Sequence, residues 1–377
     1  MIAVDRDPSA PGFRYADRRA IVSTEDESAI ERLASAERVD GLIAPGIDWP
    51  VAIAARIAQR LARWHPISPE TALLSTSKLR QRERFADAGV PQPAYEVCSG
   101  AAEAAAAAER IGFPCVIKAP DRQGQRGLTL VSSAEEVRDA VRVALDASRS
   151  ATLLVEELVP GREITVNAFS VDGHFHPLTV TDRLTAPLPA FGVALTHAWP
   201  SELEPPQIGG AVEAASAAAR SVGIENGPSY TQVLVGPDGP RVGELAARLG
   251  GGHDAELCRV ALGVDMNGAA LSTALGEEIP ATSLAPVAKV GGACVRFLVA
   301  PPGELREVTG VEEAFALDGV RGIRIYRRPG HRFGELRRGA DRAGAVLAVG
   351  DSRQEALERA DRAEATIRFE VDVEALV

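Results

Sequence analysis

Nearly all the residues whose types and spacing could do chemistry fall in three short segments. Residues 113–131 read FPCVIKAPDRQGQRGLTLV, an apolar strand that ends on Lys118 and runs into a polar loop carrying Gly124 and Gly127 among Gln123, Gln125 and Arg126. Glycines let a loop backbone close over a polyanion without a Cβ in the way, and lysine and arginine neutralise its charge. Residues 153–166, LLVEELVPGREITV, form a strand with paired acids, Glu156 and Glu157, and with Glu163 further on. Residues 241–252, RVGELAARLGGG, place Glu244 near a strand end, followed by Arg248 and three glycines. Cationic phosphate-binding groups early and hard carboxylate oxygens late are what a nucleotide with magnesium requires. An unpaired ammonium is expensive to bury, so Lys118 at the end of an apolar strand calls for an anion. A strand-end lysine that reaches solvent is the plain alternative. Consecutive strand residues face opposite sides, so only one of Glu156 and Glu157 can face a nucleotide from the strand proper.

In this order and spacing the segments resemble the ATP-grasp superfamily, and more narrowly its carboxylate–amine ligases. That branch holds carbamoyl-phosphate synthetase, the purine-pathway ligases and the L-amino-acid ligases. The likeness runs from about Ile2 to the last helix. It implies an α/β, ATP-grasp fold, two α+β lobes gripping the nucleotide, with an N-terminal Rossmann-like parallel-sheet domain and a C-terminal α/β cap. The expected boundaries are 1–75, 76–280 with a small lid lobe at about 113–152, and 281–377. The family's N-terminal domain begins one strand and one helix earlier, so the first strand is expected to be missing here.

The resemblance also assigns roles. Lys78 and Lys118 contact phosphates. Loop 123–127 is a hinged phosphate flap, with Gln123, Gly124 and Gly127 against the nucleotide and Arg126 matching phosphate geometry. Glu156, Glu157 and Leu158 occupy the adenine-edge and hinge position, and Glu163 accepts from ribose hydroxyls. His197, just before Trp199 and Pro200, is expected on a loop over the phosphates. Glu244 matches a bridging metal carboxylate and Gln232 its partner, glutamine being used there by the carbamoyl-phosphate synthetase branch. Ala246 stands where asparagine is a common second ligand. At least one Mg²⁺ (Mn²⁺ as substitute) is therefore expected mainly on Glu244, with a second held more weakly. Arg248 holds the γ-phosphate and an acyl phosphate, and the catalytic set is Arg248, Lys118 and Arg126. The plain alternatives are a solvated helix lysine at Lys78, a structural ion pair at Arg248, and a helix cap at Asp254.

The implied chemistry is two-step ligation. A carboxylate attacks ATP to give ADP and an acyl phosphate, and an amine then displaces phosphate to form an amide. No protein nucleophile is needed, in keeping with the lack of a Ser–His–Asp or Cys–His arrangement in the sequence. RLGGGHD at 248–254 and KVGGACVRFL at 289–298 are like L-amino-acid ligases and favour an amino acid or small carboxylate joined to an amino acid. A purine-pathway ligase is the nearest enzymatic alternative. A nucleotide-binding protein without ligase turnover is the alternative from another class.

Composition narrows the partners. At 377 residues the chain can bury two or three cores. A net charge of −11 argues against nucleic acid or an anionic membrane as partner, while small-molecule carboxylates and amines are the partners the resemblance implies. Cys98, Cys115, Cys258 and Cys294 are far apart, without metal-ligand spacing, which favours a reducing cytoplasm. A homodimer is the expectation from the family. Arginine is the default cation in this chain, and Lys78, Lys118 and Lys289 are its only lysines. Two of the three, Lys78 and Lys118, fall where the resembling family places its nucleotide-contacting lysines.

These residues need elements to hold them. The opening MIAVDRD predicts a strand, followed by a helix over about 26–37, a strand over 40–46 and a helix over about 50–63. SKLRQRERFADAG predicts an amphipathic helix stopping at Gly89, with Pro91 and Pro93 enforcing an extended link. AAEAAAAAERIG predicts a helix closed by Gly112. Strand VIK, the glycine loop, strand LTLV and helix AEEVRDAVRVAL complete a lid. Residues 153–171 and 174–181 predict two antiparallel strands joined at Asp172–Gly173. A helix over about 205–222 and a strand pair around Gly236–Gly239 follow. Beyond Pro280, CVRFLVAP, GVRGIRIY and GAVLAVG read as strands, with SRQEALERADRAEATI as a helix.

Overall fold

Strands β1 (Ile2–Asp5) and β2 (Arg18–Ile21) open the chain as a parallel pair, in a computed structural model that describes residues 1–372. Helix α1 (Glu27–Glu37) follows, capped by the Asp26 side chain, which accepts from the Ala29 N–H. The strand expected over 40–46 reduces to one parallel bridge between Gly41 and Trp64. Its backbone groups are taken by the chain leaving α2 (Asp48–Leu61), since Leu42 N–H donates to the Trp64 carbonyl and Trp64 N–H to that of Asp40. Pro45 then has no N–H with which to continue a ladder. Helices α3 (Pro69–Ser75) and α4 (Lys78–Ala88) lead into the next lobe, and Gly89 ends α4 in the left-handed conformation, as expected.

The lid comprises β3 (Tyr95–Cys98), α5 (Ala101–Ile111), β4 (Cys115–Lys118), β5 (Leu128–Val131), α6 (Val137–Ala147) and β6 (Leu153–Glu157). Its sheet runs β3-β6-β4-β5 and is antiparallel throughout. The alanines of α5 have a packing role. Ala104, Ala107 and Ala108 recur at helical spacing and are fully buried beside Ala140, Ala144, Ile117 and Val155. Small side chains let α5 and α6 lie close together on a sheet of only four strands.

The run expected as one strand over 153–171 is two strands in different sheets, β6 in the lid and β7 (Arg162–Val171) in the main sheet. Pro160 cannot donate to a ladder. Gly161 takes φ +137° so close to its neighbour that a Cβ there would lie 2.1 Å from the Val235 carbonyl oxygen. The link 158–161 therefore joins the two lobes. Beyond it come β8 (His174–Thr185), β9 (Ala194–Trp199), α7 (Pro205–Val222), β10 (Gly227–Gly236) and β11 (Gly239–Ala246). The expected turn at Asp172–Gly173 joins β7 to β8, both residues having positive φ.

Next are α8 (Asp254–Leu262), α9 (Met266–Ala274), β12 (Gly292–Leu298), β13 (Gly303–Thr309), α10 (Val311–Phe315), β14 (Val320–Ile325), β15 (Arg332–Phe333), β16 (Gly344–Gly350), α11 (Arg353–Thr366) and β17 (Arg368–Asp372). The strands expected beyond residue 280 do not form a sheet of their own. β12 pairs with β9, and one antiparallel sheet runs β11-β10-β7-β8-β9-β12-β16-β14. A smaller sheet, β15-β13-β17, stands beside it.

The main sheet has two different faces. Ile164, Val166, Val233 and Val235 pack with Ala211 and Ala215 of α7 on one side, each large aliphatic contributing about 1.5–3 kcal/mol by leaving water. Glu163, Thr165 and Asn167 alternate with them and so face the other way. Register aligns Glu244 with Gln232, Gln232 with Thr165, and Thr165 with Thr181. It likewise aligns Arg183 with His197 and His197 with Val295. A polar face thus crosses five strands, roofed at one end by the lid.

Candidate active site

One cleft between the lid and this face is lined by Lys78, Lys118, Gln123, Gly124, Arg126, Glu156, Glu157, Leu158, Glu163, Gln232 and Glu244. Eleven of the residues singled out from sequence therefore meet, although they come from five separate stretches of chain. Gly127, His197 and Arg248 lie outside that lining. Gly127 ends the flap with φ +71° and packs on Ala119 and Ala147.

Lys118 ends β4 and is 7% exposed. Its Nζ lies 2.6 Å from Glu156 Oε2, and Arg82 Nε of α4 donates to Glu156 Oε1 at 2.8 Å. Burial of its ammonium brings Lys118 down to about 8, although Glu156 favours the charged form. Burial alone would raise Glu156, but Arg82 and Lys118 outweigh it and hold the carboxyl at about 2. Two cations around one carboxylate leave a net positive charge facing the cleft. Glu156 consequently acts here as the counter-ion of Lys118. Glu157, on the opposite side of β6, accepts from the Ala94 N–H at 3.0 Å through its side chain.

Lys78 sits in the first turn of α4. Its Nζ donates to Glu244 Oε1 at 2.8 Å and to the Arg122 carbonyl at 2.6 Å. It is tied into the cleft, not solvated. Burial works against the Glu244 carboxylate, but Lys78 chiefly, with Lys118 and Arg248, holds it below the ordinary range. Across the ladder, the Gln232 amide donates to Glu163, and Arg183 Nε lies 2.8 Å from the same carboxylate. Burial raises Glu163. Glu244 and the Gln232 amide oxygen are hard donors of the kind a small divalent cation prefers. Among the described residues no three His, Cys, Asp or Glu converge as a self-sufficient cage. These residues therefore fit an Mg²⁺ that completes its shell with phosphate oxygens and water.

The flap carries local positive charge. Burial first, then Arg122, Arg338 and Arg149 around it, push the Arg126 guanidinium down. In this state the flap is folded over, with the Gly124 carbonyl accepting from Gly339 N–H at 3.4 Å and the Gln123 side chain accepting from Asp48 N–H at 3.2 Å.

Arg248 lies past the Glu244 end of the cleft. Its Nε donates to Asp48 at the start of α2, and its Nη1 to the Leu249 carbonyl at 2.8 Å. Its guanidinium carbon lies 5.9 Å from the Tyr230 ring centre. The glycines that follow are required by close approach. A Cβ on Gly252 would fall 2.2 Å from His197 Cε1, and one on Gly250 would fall 2.2 Å from Asp254 Oδ2. His197 is in β9, not on a loop, and is 2% exposed, with Nδ1 3.0 Å from Asp254 Oδ1. The strand continues through Trp199, which keeps His197 on the floor of the sheet. Asp254 is the first residue of α8, not its cap, and His253 holds the capping position with φ 60°. Buried though it is, Asp254 is held at about 2 by His197 and by the Gly252 N–H.

Sequence reasoning missed Arg82, Arg183, Tyr230 and Asp48. Arg82 had a signal, lying one helical turn after Lys78 on the same face. Arg183 had one in the polar–apolar alternation of its strand. Asp48 and Tyr230 carry no local signal, because their partners are supplied by distant segments.

Residues 78–282 match the family described as "Carbamoyl-phosphate synthase L chain, ATP binding domain", and 296–372 match "L-amino acid ligase C-terminal domain 2". An uncharacterised protein, y4rH, of Sinorhizobium fredii is 30% identical over 76% of this chain and 59% of its own length. A formate-dependent phosphoribosylglycinamide formyltransferase of Burkholderia pseudomallei is 33% identical over 40% of this chain and 37% of its own. The chain thus spans less than two thirds of the length of either relative. The L-amino acid ligase of Bacillus licheniformis shares the fold with a TM-score of 0.82 at 20% identity, over 95% of this chain and 88% of that one.

Proposed function

Because the chain belongs to the ATP-grasp family of the carbamoyl-phosphate synthase ATP-binding domain, we propose that it is an ATP-dependent carboxylate–amine ligase. It joins an amino acid or small carboxylate to an amine through an acyl phosphate. The observation that carries this is the meeting, in one cleft, of Lys78 and Lys118 with Gln232 and Glu244, cations for a triphosphate beside hard oxygens for its metal.

Lys118, Lys78 and the flap hold the triphosphate, and Arg126 closes over it. The link 158–161 offers backbone groups to the base, with Glu163 near the sugar. An Mg²⁺ held by Glu244 and Gln232 would neutralise phosphate charge there. The substrate carboxylate attacks the γ-phosphorus, the bond to the β-phosphate oxygen breaks, and ADP leaves. Arg248 steadies the acyl phosphate. The amine nitrogen then attacks the acyl carbon, and the carbon–oxygen bond breaks. Phosphate departs with the proton shed by the nitrogen. Catalysis of this kind rests on position and charge, and the folded flap keeps water from the acyl phosphate.

The same reading takes 1–75, 76–280 and 281–377 as the working units and a homodimer as the assembly, supported by the resemblance, and the cytoplasm as the location, supported by the spacing of the cysteines. No helix among the described residues is long and apolar enough to cross a membrane. Incubation with ATP, Mg²⁺ and pooled L-amino acids should release phosphate in an amino-acid-dependent manner. Glu244→Ala should lower that rate at least about 100-fold, as loss of an electrostatic group at the reacting phosphate does. ATP binding without substrate-stimulated release would instead favour a non-catalytic nucleotide-binding protein.

A further inference from the structure

The polar face of the main sheet continues past the cleft to Arg183 and His197, paired on neighbouring strands, which the nucleotide chemistry does not use. Arg183, in contact with Glu163 on the Glu244 side, also reaches the Tyr230 hydroxyl and the Gly192 carbonyl. Beyond it Phe297 of β12 meets the His197 ring edge-on at 5.6 Å, and His253 at 6.4 Å. Over the other side of Phe297 lies Arg342, its guanidinium carbon 3.7 Å from the ring centre. Nη1 of Arg342 donates to the Ala194 carbonyl at 3.4 Å, and Nε to the Gly339 carbonyl at 2.7 Å.

These partners are neutral. No carboxylate among the described residues pairs with Arg342, although the other cations of this face each have one: Arg183 has Glu163, Arg248 has Asp48, and Lys78 has Glu244. Burial chiefly, with the nearby Arg183 cation, lowers the Arg342 guanidinium against the opposing influence of Tyr326, Tyr230 and the Asp254 carboxylate, which makes its ion pair with His197. A half-buried cation without an anion is costly, which marks a place where a ligand supplies the missing charge. Arg342 is a single unmatched cation here, since neighbouring Arg338 is paired with Asp341 and Arg183 with Glu163. One positive charge suits a monoanionic carboxylate better than a phosphate dianion.

Resting on the ligase reading, we propose that Arg342 binds the free carboxylate of the amine substrate, so that the acceptor is an amino acid and not a simple amine. The acceptor's carboxylate lies against Arg342 and its carbon skeleton against Phe297 and Tyr326. Its amine points back along the polar face toward Tyr230 and Arg248, where the acyl phosphate forms. Arg342 shares its loop with Gly339, the residue whose N–H the flap's Gly124 carbonyl accepts. Filling the acceptor site therefore steadies the loop that holds the flap down.

The test separates the two steps. Hydroxylamine, a small amine with no carboxylate, traps the acyl phosphate as a hydroxamate and reads donor activation alone. Amide formation is then followed by mass spectrometry with L-amino acids, with the matching amino-acid amides, or with phosphoethanolamine as acceptor. Wild-type protein should use free amino acids at least roughly 30-fold better than amides, the usual weight of a charge-assisted contact. Arg342→Met should raise the KM for amino-acid acceptors roughly 100-fold and erase the preference over amides, with hydroxamate formation falling far less than amide formation. Arg342→Lys should recover part of it. Equal use of acids and amides by the wild type overturns the proposal, and so does an Arg342→Met enzyme that keeps the preference. Selective loss of phosphoethanolamine use, or loss of hydroxamate formation, also overturns it by moving Arg342 to a phosphate or to the donor. Absence of any hydroxamate from wild-type protein with every amino acid tried defeats the ligase reading itself.

Discussion

Lys118, Glu156 and Arg82 show how a buried charge cluster can be poised for a ligand. Burial of the ammonium, with Arg82 sharing the same Glu156 carboxylate, leaves Lys118 near 8, well under its ordinary 10.5, despite its 2.6 Å contact with Glu156. The sign follows directly. Burial favours the neutral amine in the folded chain, so its contribution to stability is complete above about 10.5 and fades as pH falls through about 8. A bound triphosphate reverses this by favouring the ammonium. ATP binding should therefore take up a proton above about pH 8, and affinity should fall by up to roughly tenfold per pH unit there. Calorimetry at pH 8.5 in two buffers of different ionisation heat measures the uptake, and Lys118→Met should abolish it. An affinity that stays level from pH 7 to 9.5 would contradict this account. The lysine and its anion-seeking character were legible in sequence. Its counter-ion was not, because two adjacent acids gave no sign of which one would turn inward.

At the level of elements, the decisive feature is the break at 158–161. Apolar residues continue on both sides of it, so pattern alone ran the strand through from 153 to 171. Pro160 and Gly161 end it, and the backbone of residue 235 approaches so closely that only glycine fits. Gly161→Ala would bring a Cβ into that carbonyl at a φ that L side chains rarely adopt. A loss of about 1–3 kcal/mol in urea unfolding is expected, together with weaker ATP binding, since both lobes contribute to the cleft. Unchanged ATP affinity in that variant would mean the link does not set the angle between the lobes. By contrast, α5, α7 and the turn at Asp172–Gly173 form where sequence placed them. Local propensity, helix-ending glycines and turn chemistry are properties of neighbouring residues, and they need no distant partner.

Across the whole molecule, the site is assembled from every region. The N-terminal region contributes Asp48, which pairs with Arg248 and whose N–H meets the flap. Both charges are largely buried, and removing one strands the other. Asp48→Ala should cost roughly 3–5 kcal/mol of stability and slow substrate-dependent phosphate release, while ATP binding persists. Loss of ATP binding in a folded Asp48→Ala protein would show that the N-terminal region acts on the nucleotide itself. The amino-acid sequence by itself pointed to the family, to the segments that line the cleft, and to most helices and strands, because those depend on residue type and short-range spacing. Only the tertiary structure decided that β12, β14 and β16 extend the main sheet, that Glu156 serves Lys118, that His197 lies on the floor, and that Arg342 stands unpaired. Each of these depends on strand register and on contacts between residues far apart in the chain, which short-range patterns do not encode.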